Sequence, residues 1–263
     1  MSTFSAGDEA MLVDRKNRRY LLTLAAGEEF HSHAGIVRHD DLIGQEEGCL
    51  VAASRGARYT AVKPTLSEFV LKMPRGAQVI YPKDLGPLLL LADIEPGVEV
   101  FESGIGSGAT STTMLRAGAD ITGYELREDF AARAQANVER FLGQAYDPDR
   151  YHLHIRNAYD GIEHGPFDRA ILDLPEPWRM TPHLATALRP GGIVVAYTPS
   201  MTQAQQFRAA LAEGPYALAE TLEVLHRGWH IEGAAVRPDH RMVAHTGFLT
   251  HARRGQSGPL DLS

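Results

Sequence analysis

The chain has 263 residues, with 33 acidic and 26 basic side chains, 12 histidines and a formal charge of −7. Hydrophobic residues make up 44% and charged residues 22%, the balance of a chain that folds around one large core, with or without a small appendage. No apolar run approaches the roughly 18 residues of a membrane span. Asp8 and Glu9 stand where a secretory signal is apolar, and the single cysteine, Cys49, excludes an intrachain disulfide and a cysteine-rich metal site. These features predict a cytoplasmic protein with no membrane contact.

The charge is unevenly spread. Residues 1–75 hold ten basic and ten acidic side chains, residues 76–224 eleven and twenty, and residues 225–254 five and two, with five histidines in that last stretch. An acidic middle is therefore flanked by a neutral segment and a basic one. A polyanion would be met at the ends.

In chain order, residues 8–63 read as short strands and turns. Arg19–Leu24, Cys49–Ala53 and Arg58–Val62 are strand-like, and Gly27, Gly35, Gly44, Gly48 and Gly56 punctuate them. Thr65 with Glu68 forms the signature of a capped helix running to Lys72, which Pro74 ends. The boundary predicted on this basis is a small β-rich domain over residues 1–72 and an α/β domain over 73–263. In the second part Pro82–Asp93 reads as a helix bent or restarted at Gly86-Pro87. Strand and helix then alternate: Val98–Glu102, Ala109–Ala117, Ile121–Glu125, Arg127–Leu142, Tyr151–Arg156, Asp168–Asp173, a helix ending at Pro190-Gly-Gly192, Ile193–Tyr197 and Gln203–Ala212. Strand-like pieces close the chain at Leu218–Val224, Trp229–Ala235 and Thr246–Thr250. This pattern predicts a largely parallel sheet covered by helices.

Two segments carry chemistry. Glu102-Ser-Gly104-Ile-Gly106-Ser-Gly108 joins a predicted strand to a predicted helix. Its G-x-G-x-G spacing differs from the G-x-G-x-x-G of dinucleotide sites, and Glu102 would repel a pyrophosphate but attract a cationic head group such as that of S-adenosylmethionine. Glu125 ends the next strand, where an acidic side chain accepts from both ribose hydroxyls. The second segment is Asp173-Leu-Pro-Glu-Pro-Trp178. Asp173 sits at the carboxyl end of a strand, where open α/β sheets bind ligands, and can accept from an exocyclic amine; Trp178 is either an aromatic surface there or core. His31 and His33 would share one face of a strand, but no third ligand stands near them, so no metal is predicted. Turn-stabilising or polyanion-facing roles suit them better.

Taken together, Gln78-Val-Ile-Tyr81-Pro-Lys-Asp84, the Glu102–Gly108 turn, Asp173–Trp178, Arg227-Gly-Trp229 and the segments Phe30–Gly35, His39–Gly44 and Val236–Phe248 resemble the bacterial and archaeal tRNA adenine-N1 methyltransferases, which modify adenine 58 in the T loop. The resemblance implies a Rossmann-like S-adenosylmethionine-dependent methyltransferase domain with a small N-terminal β domain, a tRNA substrate and a homotetramer. It places the methionine part of the cofactor at Gln78, Glu102, Gly104, Gly106, Ser107, Gly108 and Ala109, and the ribose at Glu125. Asp173 falls at both cofactor and target adenine, and Tyr81 near the target base. This chain departs from the family pattern at Ser103, Ile105 and Phe130, and at Asn157, where relatives carry an aspartate near the adenine ring. Phosphate contacts would come from Arg15, Lys16, Arg18, Arg19, Arg55 and Arg58, and from Arg237, Arg241, Arg253 and Arg254 in the tail. Three other readings stay open at this point: a small-molecule methyltransferase derived from the tRNA family, an NAD-dependent oxidoreductase and a non-catalytic RNA-binding subunit.

Overall fold

The computed structural model describes residues 3–76 and 78–256. The chain divides into two compact units. One holds the residues up to Pro74 together with Ala136–Tyr146; the other holds Arg75–Gln135 and the described residues from Asp147 onward.

The first unit is built from six strands and a helix: β1 (Glu9–Asp14), β2 (Arg19–Thr23), β3 (Glu29–Ser32), β4 (Gly35–Arg38), β5 (Leu50–Ala52), β6 (Arg58–Val62) and α1 (Leu66–Lys72). An antiparallel sheet in the order β2-β1-β6-β5 and a β3–β4 hairpin enclose Phe4, Leu12, Val37, Leu42 and Tyr59. Tyr20, Phe30 and Tyr59 meet at tilted and edge-on angles over centroid distances of 5.2–6.2 Å, the arrangement ring quadrupoles favour. The Thr65 cap forms as the sequence indicates, with the Thr65 hydroxyl accepting from the Glu68 amide and the Glu68 carboxylate accepting from the Thr65 amide. His33 departs from the expected strand: it lies in the turn after β3, so it does not share a strand face with His31. His31 meets Glu29 and His33 meets Arg18.

One buried ion pair ties Ala136–Tyr146 into this unit. Arg140 donates from Nε and NH2 to the two oxygens of Glu9, whose side chain is 5% exposed and also accepts from the Thr23 hydroxyl. Replacing Arg140 by methionine strands the carboxylate. The expected loss is about 3 kcal/mol, read from the midpoint of urea unfolding.

The second unit begins with α2 (Pro82–Leu91), which runs through Pro87 without restarting. It continues through β7 (Glu99–Ser103), α3 (Ala109–Ala117), β8 (Asp120–Glu125), α4 (Glu128–Leu142, whose residues from Ala136 onward belong to the first unit), β9 (Tyr151–Ile155), β10 (Phe167–Leu172), α5 (Thr181–Ala187), β11 (Leu188–Thr198), α6 (Met201–Glu213), β12 (Tyr216–Glu223), β13 (Trp229–Glu232), β14 (Ala235–Pro238) and β15 (Phe248–Arg254). Seven strands form one sheet in the order β12-β15-β11-β10-β7-β8-β9. The five from β11 to β9 are parallel; β15 lies antiparallel between β11 and β12. Phe101, Leu172 and Ala196 pack into one core with Leu184 of α5 and Phe207 of α6. Val100, Ile171 and Val195, which the pleat directs to the other face, are equally buried. Both faces are therefore covered, which is why these strands read as continuous apolar runs.

Two local expectations need correction. Pro190-Gly-Gly192 does not end a helix: α5 stops at Ala187 and the chain is already in β11, where Pro190 and the glycines precede the paired core of the strand. The piece Trp229–Ala235 is not one strand but the turn of the β13–β14 hairpin and its flanks, with Gly233 at φ 55°. Of the two readings open for Trp178, the structure favours core: the ring is partly buried and packs against the cluster that holds Phe101 and Leu172. No helix among the described residues is long and apolar enough to cross a membrane.

Candidate active site

The sheet order reverses between β7 and β10, whose carboxyl ends lie side by side: Leu172 pairs with Ser103, and the Asp173 amide donates to the Ser103 carbonyl at 2.9 Å. A crevice must open where connections leave such a pair in opposite directions. A cavity of about 460 Å³ lies there, floored by Ser103, Gly104 and Asp173 and walled by Glu125, Phe130 and Tyr159.

The glycine turn is shaped by that closeness. Gly104 has φ 84°, and a Cβ on it would come within 2.0 Å of the Asp173 carbonyl oxygen. No other residue fits there without parting β7 from β10. Gly108, at φ 80°, leads into α3, and Ala109 is its first residue, buried. Ser107 is buried and its hydroxyl accepts from the Gly76 amide, which brings the segment preceding Gln78 to the turn.

Glu125 is held from both sides. One carboxylate oxygen accepts from the Gly106 amide and the other from the Arg127 amide, each at 3.0 Å. The end of β8 is thereby tied to the glycine turn. Asn157 accepts from the Tyr159 amide through Oδ1 and donates from Nδ2 to Asp160 at 3.1 Å. Its side chain is therefore committed to its own turn. The Tyr159 phenol oxygen accepts from the Glu176 amide at 3.0 Å, joining the loop after β9 to the loop after β10. Arg179 covers one face of that ring at 4.1 Å.

Three carboxylates converge. Glu102 is 2% exposed, and the Ser111 hydroxyl donates to its Oε2 at 2.7 Å. Burial, outweighing the Ser111 bond, and then the charges of Asp173 and Glu125 push the Glu102 carboxyl up to about 8. Burial and the Glu125 charge raise Asp173 to about 7. A site with Asp173 and Glu125 in its lining and Glu102 buried in the adjoining strand end holds protons at neutral pH and favours a cation that replaces them.

Of the residues singled out in the sequence, Gln78, Gly104, Gly106, Glu125, Asn157 and Asp173 line this cavity. Glu102, Ser107, Gly108 and Ala109 lie in the strand end and turn that shape it. Tyr81 does not line it; it is the half-buried N-cap of α2, near Tyr197. Phe130, which helical spacing alone assigns to the core with Ala134 and Val138, faces the cavity with the Arg127 guanidinium 3.8 Å from its ring centroid. Tyr159 was not singled out; its place directly after the Asn157-Ala158 strand exit is the only signal it carries. Among the described residues, no group of three His, Cys, Asp or Glu side chains is arranged to hold a metal ion.

A glycine-turned crevice at the switch point of a seven-stranded sheet, with one antiparallel strand beside the edge, is the Rossmann-like fold of the S-adenosylmethionine-dependent methyltransferases. The solved structure of a SAM-dependent O-methyltransferase from Thermotoga maritima superposes with a TM-score of 0.89 at 28% identity, covering 96% of this chain and 95% of the other. The tRNA (m1A58) methyltransferase TrmI from Aquifex aeolicus, at 24% identity and a TM-score of 0.84, has the same fold over 97% of this chain and 100% of its own. The chain belongs to the family described as tRNA methyltransferase complex GCD14 subunit, which it matches over residues 59–237, and it carries a TrmI-like N-terminal segment over residues 3–51. Among curated relatives, the tRNA (adenine(58)-N(1))-methyltransferase TrmI of Thermus thermophilus is 35% identical over 93% of this chain and 96% of its own length. The tRNA (adenine(57)-N(1)/adenine(58)-N(1))-methyltransferase TrmI of Methanocaldococcus jannaschii is 30% identical over 92% and 94%.

Proposed function

We propose that this protein methylates N1 of adenine 58 in the T loop of tRNA, using S-adenosylmethionine. The observation that carries the proposal is the placing of Glu125 and Asp173 on one glycine-floored cavity at the switch point, with the buried Glu102 at the end of β7 coupled to both. When bound there, S-adenosylmethionine supplies an electrophilic methyl group on a sulfonium.

The residues present fit that group. Glu102, buried at the end of β7 with Oε2 held by the Ser111 hydroxyl, supplies the negative charge that an ammonium at this turn favours. Gly104 lets the backbone approach closely, and Gln78 lines the same cavity. Glu125 receives the ribose and the Phe130 ring forms a wall. Asn157 keeps the acceptor character of the aspartate found in relatives only in part, because both ends of its amide are used within its own turn. Asp173 accepts from the exocyclic amine of the target adenine and balances the positive charge the ring gains as N1 is alkylated. Tyr81, at the junction leading into α2, is assigned to the target base. The chain aligns two reactants, and N1 uses its own lone pair, so no side chain has to remove a proton before the transfer.

Transfer RNA would be held by cations outside the cavity. Arg18 and Arg19 are paired with Asp14 and Glu68. Arg15, Lys16, Arg55 and Arg58 form no ion pair with a described residue and are the better phosphate contacts in the first unit. The β13–β14 hairpin exposes Trp229, Ile231 and Val236 at 59%, 72% and 62%, which supports a homotetramer that covers them.

A dinucleotide-dependent oxidoreductase is disfavoured by the same carboxylates, since a pyrophosphate would face Glu125 and Asp173. Calorimetric titration separates the two: S-adenosylmethionine should bind in the micromolar range and NAD should give no heat. Tight NAD binding with no S-adenosylmethionine binding would reverse the assignment.

A further inference from the structure

Among the described residues, three aromatic rings line the cavity: Tyr124, Phe130 and Tyr159. Tyr124 is core. It is 1% exposed, its ring meets Phe101 edge-on at 5.1 Å, and its phenol oxygen is taken up by the Glu163 amide and His164. Phe130 belongs to the ribose side, three residues after Arg127, whose amide holds Glu125. Tyr159 is half-buried, and four contacts fix it. Its amide donates to Asn157 Oδ1 at 3.2 Å, and its carbonyl accepts from His183 Nε2 at 3.2 Å. Its phenol oxygen accepts from the Glu176 amide at 3.0 Å, and the Arg179 guanidinium stands 4.1 Å from the ring centroid. Arg179 is held in turn by Glu176 at 3.1 Å and does not line the cavity. The ring is thus ordered before any ligand arrives, so stacking on it costs little further entropy.

The loop that fixes the ring is the one that carries Asp173. Glu176 lies three residues past Asp173, and Leu174 and Pro175 between them line the same cavity. A base turned out of the T-loop stack loses the faces it rested on, and enzymes that act on such a base supply aromatic or apolar ones. Tyr81 does not line the cavity, and Trp178 packs against the core. We infer that Tyr159 is the stacking surface for the target adenine, its ring covering a face of the extruded base while Asp173 meets the edge that carries the amine. Phe130, on the Glu125 side, is left for the adenine of the cofactor, so each of the two adenines has its own ring. Arg179 is a positioning residue that keeps the Tyr159 ring in place. The inference rests on the adenine-methylation reading above. Because the Tyr159 amide is tied to Asn157, on the cofactor side, the test has to separate the two adenines.

On the full-length enzyme with an unmodified tRNA transcript, Tyr159→Leu should lower kcat/KM for tRNA about 30-fold, the size of a lost base–aromatic stack. The dissociation constant of S-adenosylmethionine, measured by calorimetry, should stay within about twofold of wild type. Tyr159→Phe keeps the ring and loses only the bond from Glu176, so it should stay within about threefold on both. Unchanged kcat/KM in Tyr159→Leu, or a loss of cofactor affinity that accounts for the whole effect, would overturn the inference. A second readout needs no disruptive variant: ring-13C-tyrosine NMR of wild-type protein saturated with S-adenosylhomocysteine, with Tyr159 assigned by its absence in Tyr159→Phe. Its resonance should move when the transcript is added and stay in place with a transcript made abasic at position 58. A resonance that ignores the transcript, or moves equally with the abasic one, would also overturn it. Wild-type protein that methylates no tRNA would defeat the functional reading and this inference with it, whereas normal wild-type transfer beside an unaffected leucine variant would defeat the stacking role alone.

Discussion

Asp173→Ala should lower methyl transfer to tRNA by about 10³-fold while S-adenosylmethionine still binds, with weakened affinity. The carboxylate stands at the end of β10, its own backbone pressed against Gly104 and its side chain partly buried in the cavity. Removing it opens no large hole in a core, so the protein should fold normally. Cofactor binding retains Glu102, Glu125 and the glycine turn. What disappears is the acceptor for the adenine amine and the charge that offsets alkylation of the ring. Single-turnover kinetics on an unmodified tRNA transcript measures the chemical step directly. Turnover within a few-fold of wild type would remove Asp173 from the transfer site.

The second large effect is on pH. Glu102 is raised to about 8 and Asp173 to about 7 in the ligand-free protein, mainly by burial. The folded state therefore holds protons that the unfolded chain loses near the usual carboxylate values. As pH rises from about 4.5 to about 8 the unfolded chain binds fewer protons than the folded one, so stability falls through that window and levels off above it. Glu102→Gln removes the largest part of this penalty, which is on the order of 4 kcal/mol. The variant should match wild type in thermal stability near pH 4.5 and exceed it by several degrees at pH 8. A ligand ammonium reverses the preference: it favours the ionised carboxylate, so binding should release protons near neutrality and tighten as pH rises from 6 to 8. Glu102→Gln should weaken S-adenosylmethionine at pH 8 by at least about tenfold and flatten that rise. A wild-type melting temperature that climbs from pH 5 to 8 without ligand would contradict the assignment of a buried, proton-holding Glu102.

The features legible in the sequence are those set by near neighbours in the chain. The strand–turn–helix unit around Gly104 was readable because a carboxylate, three spaced glycines and a small-residue helix start all lie within ten positions. The α1 cap was readable for the same reason, since Thr65 and Glu68 are three residues apart. The Rossmann-like class followed from strand and helix alternation together with the family resemblance. What could not be read is set by contacts between distant segments. The insertion of β15 antiparallel between β11 and β12 depends on pairings such as Tyr197 with Leu249. The hydrogen bond from the Thr246 hydroxyl to the buried Asp84 joins residues 162 positions apart. Phe130 sits on the apolar face of α4 and still turns its ring to the cavity, because the first turn of that helix reaches the end of β8. Tyr159 looked unremarkable in sequence, and only the Glu176 amide and the Arg179 guanidinium show why its ring is fixed.

The most direct measurement of the central claim is transfer from methyl-labelled S-adenosylmethionine to unmodified tRNA transcript, followed by nucleoside mapping. The account predicts label in 1-methyladenosine at position 58, and none when that adenine is replaced by guanine. Label confined to a small molecule, or placed at another nucleoside of the tRNA, would contradict it.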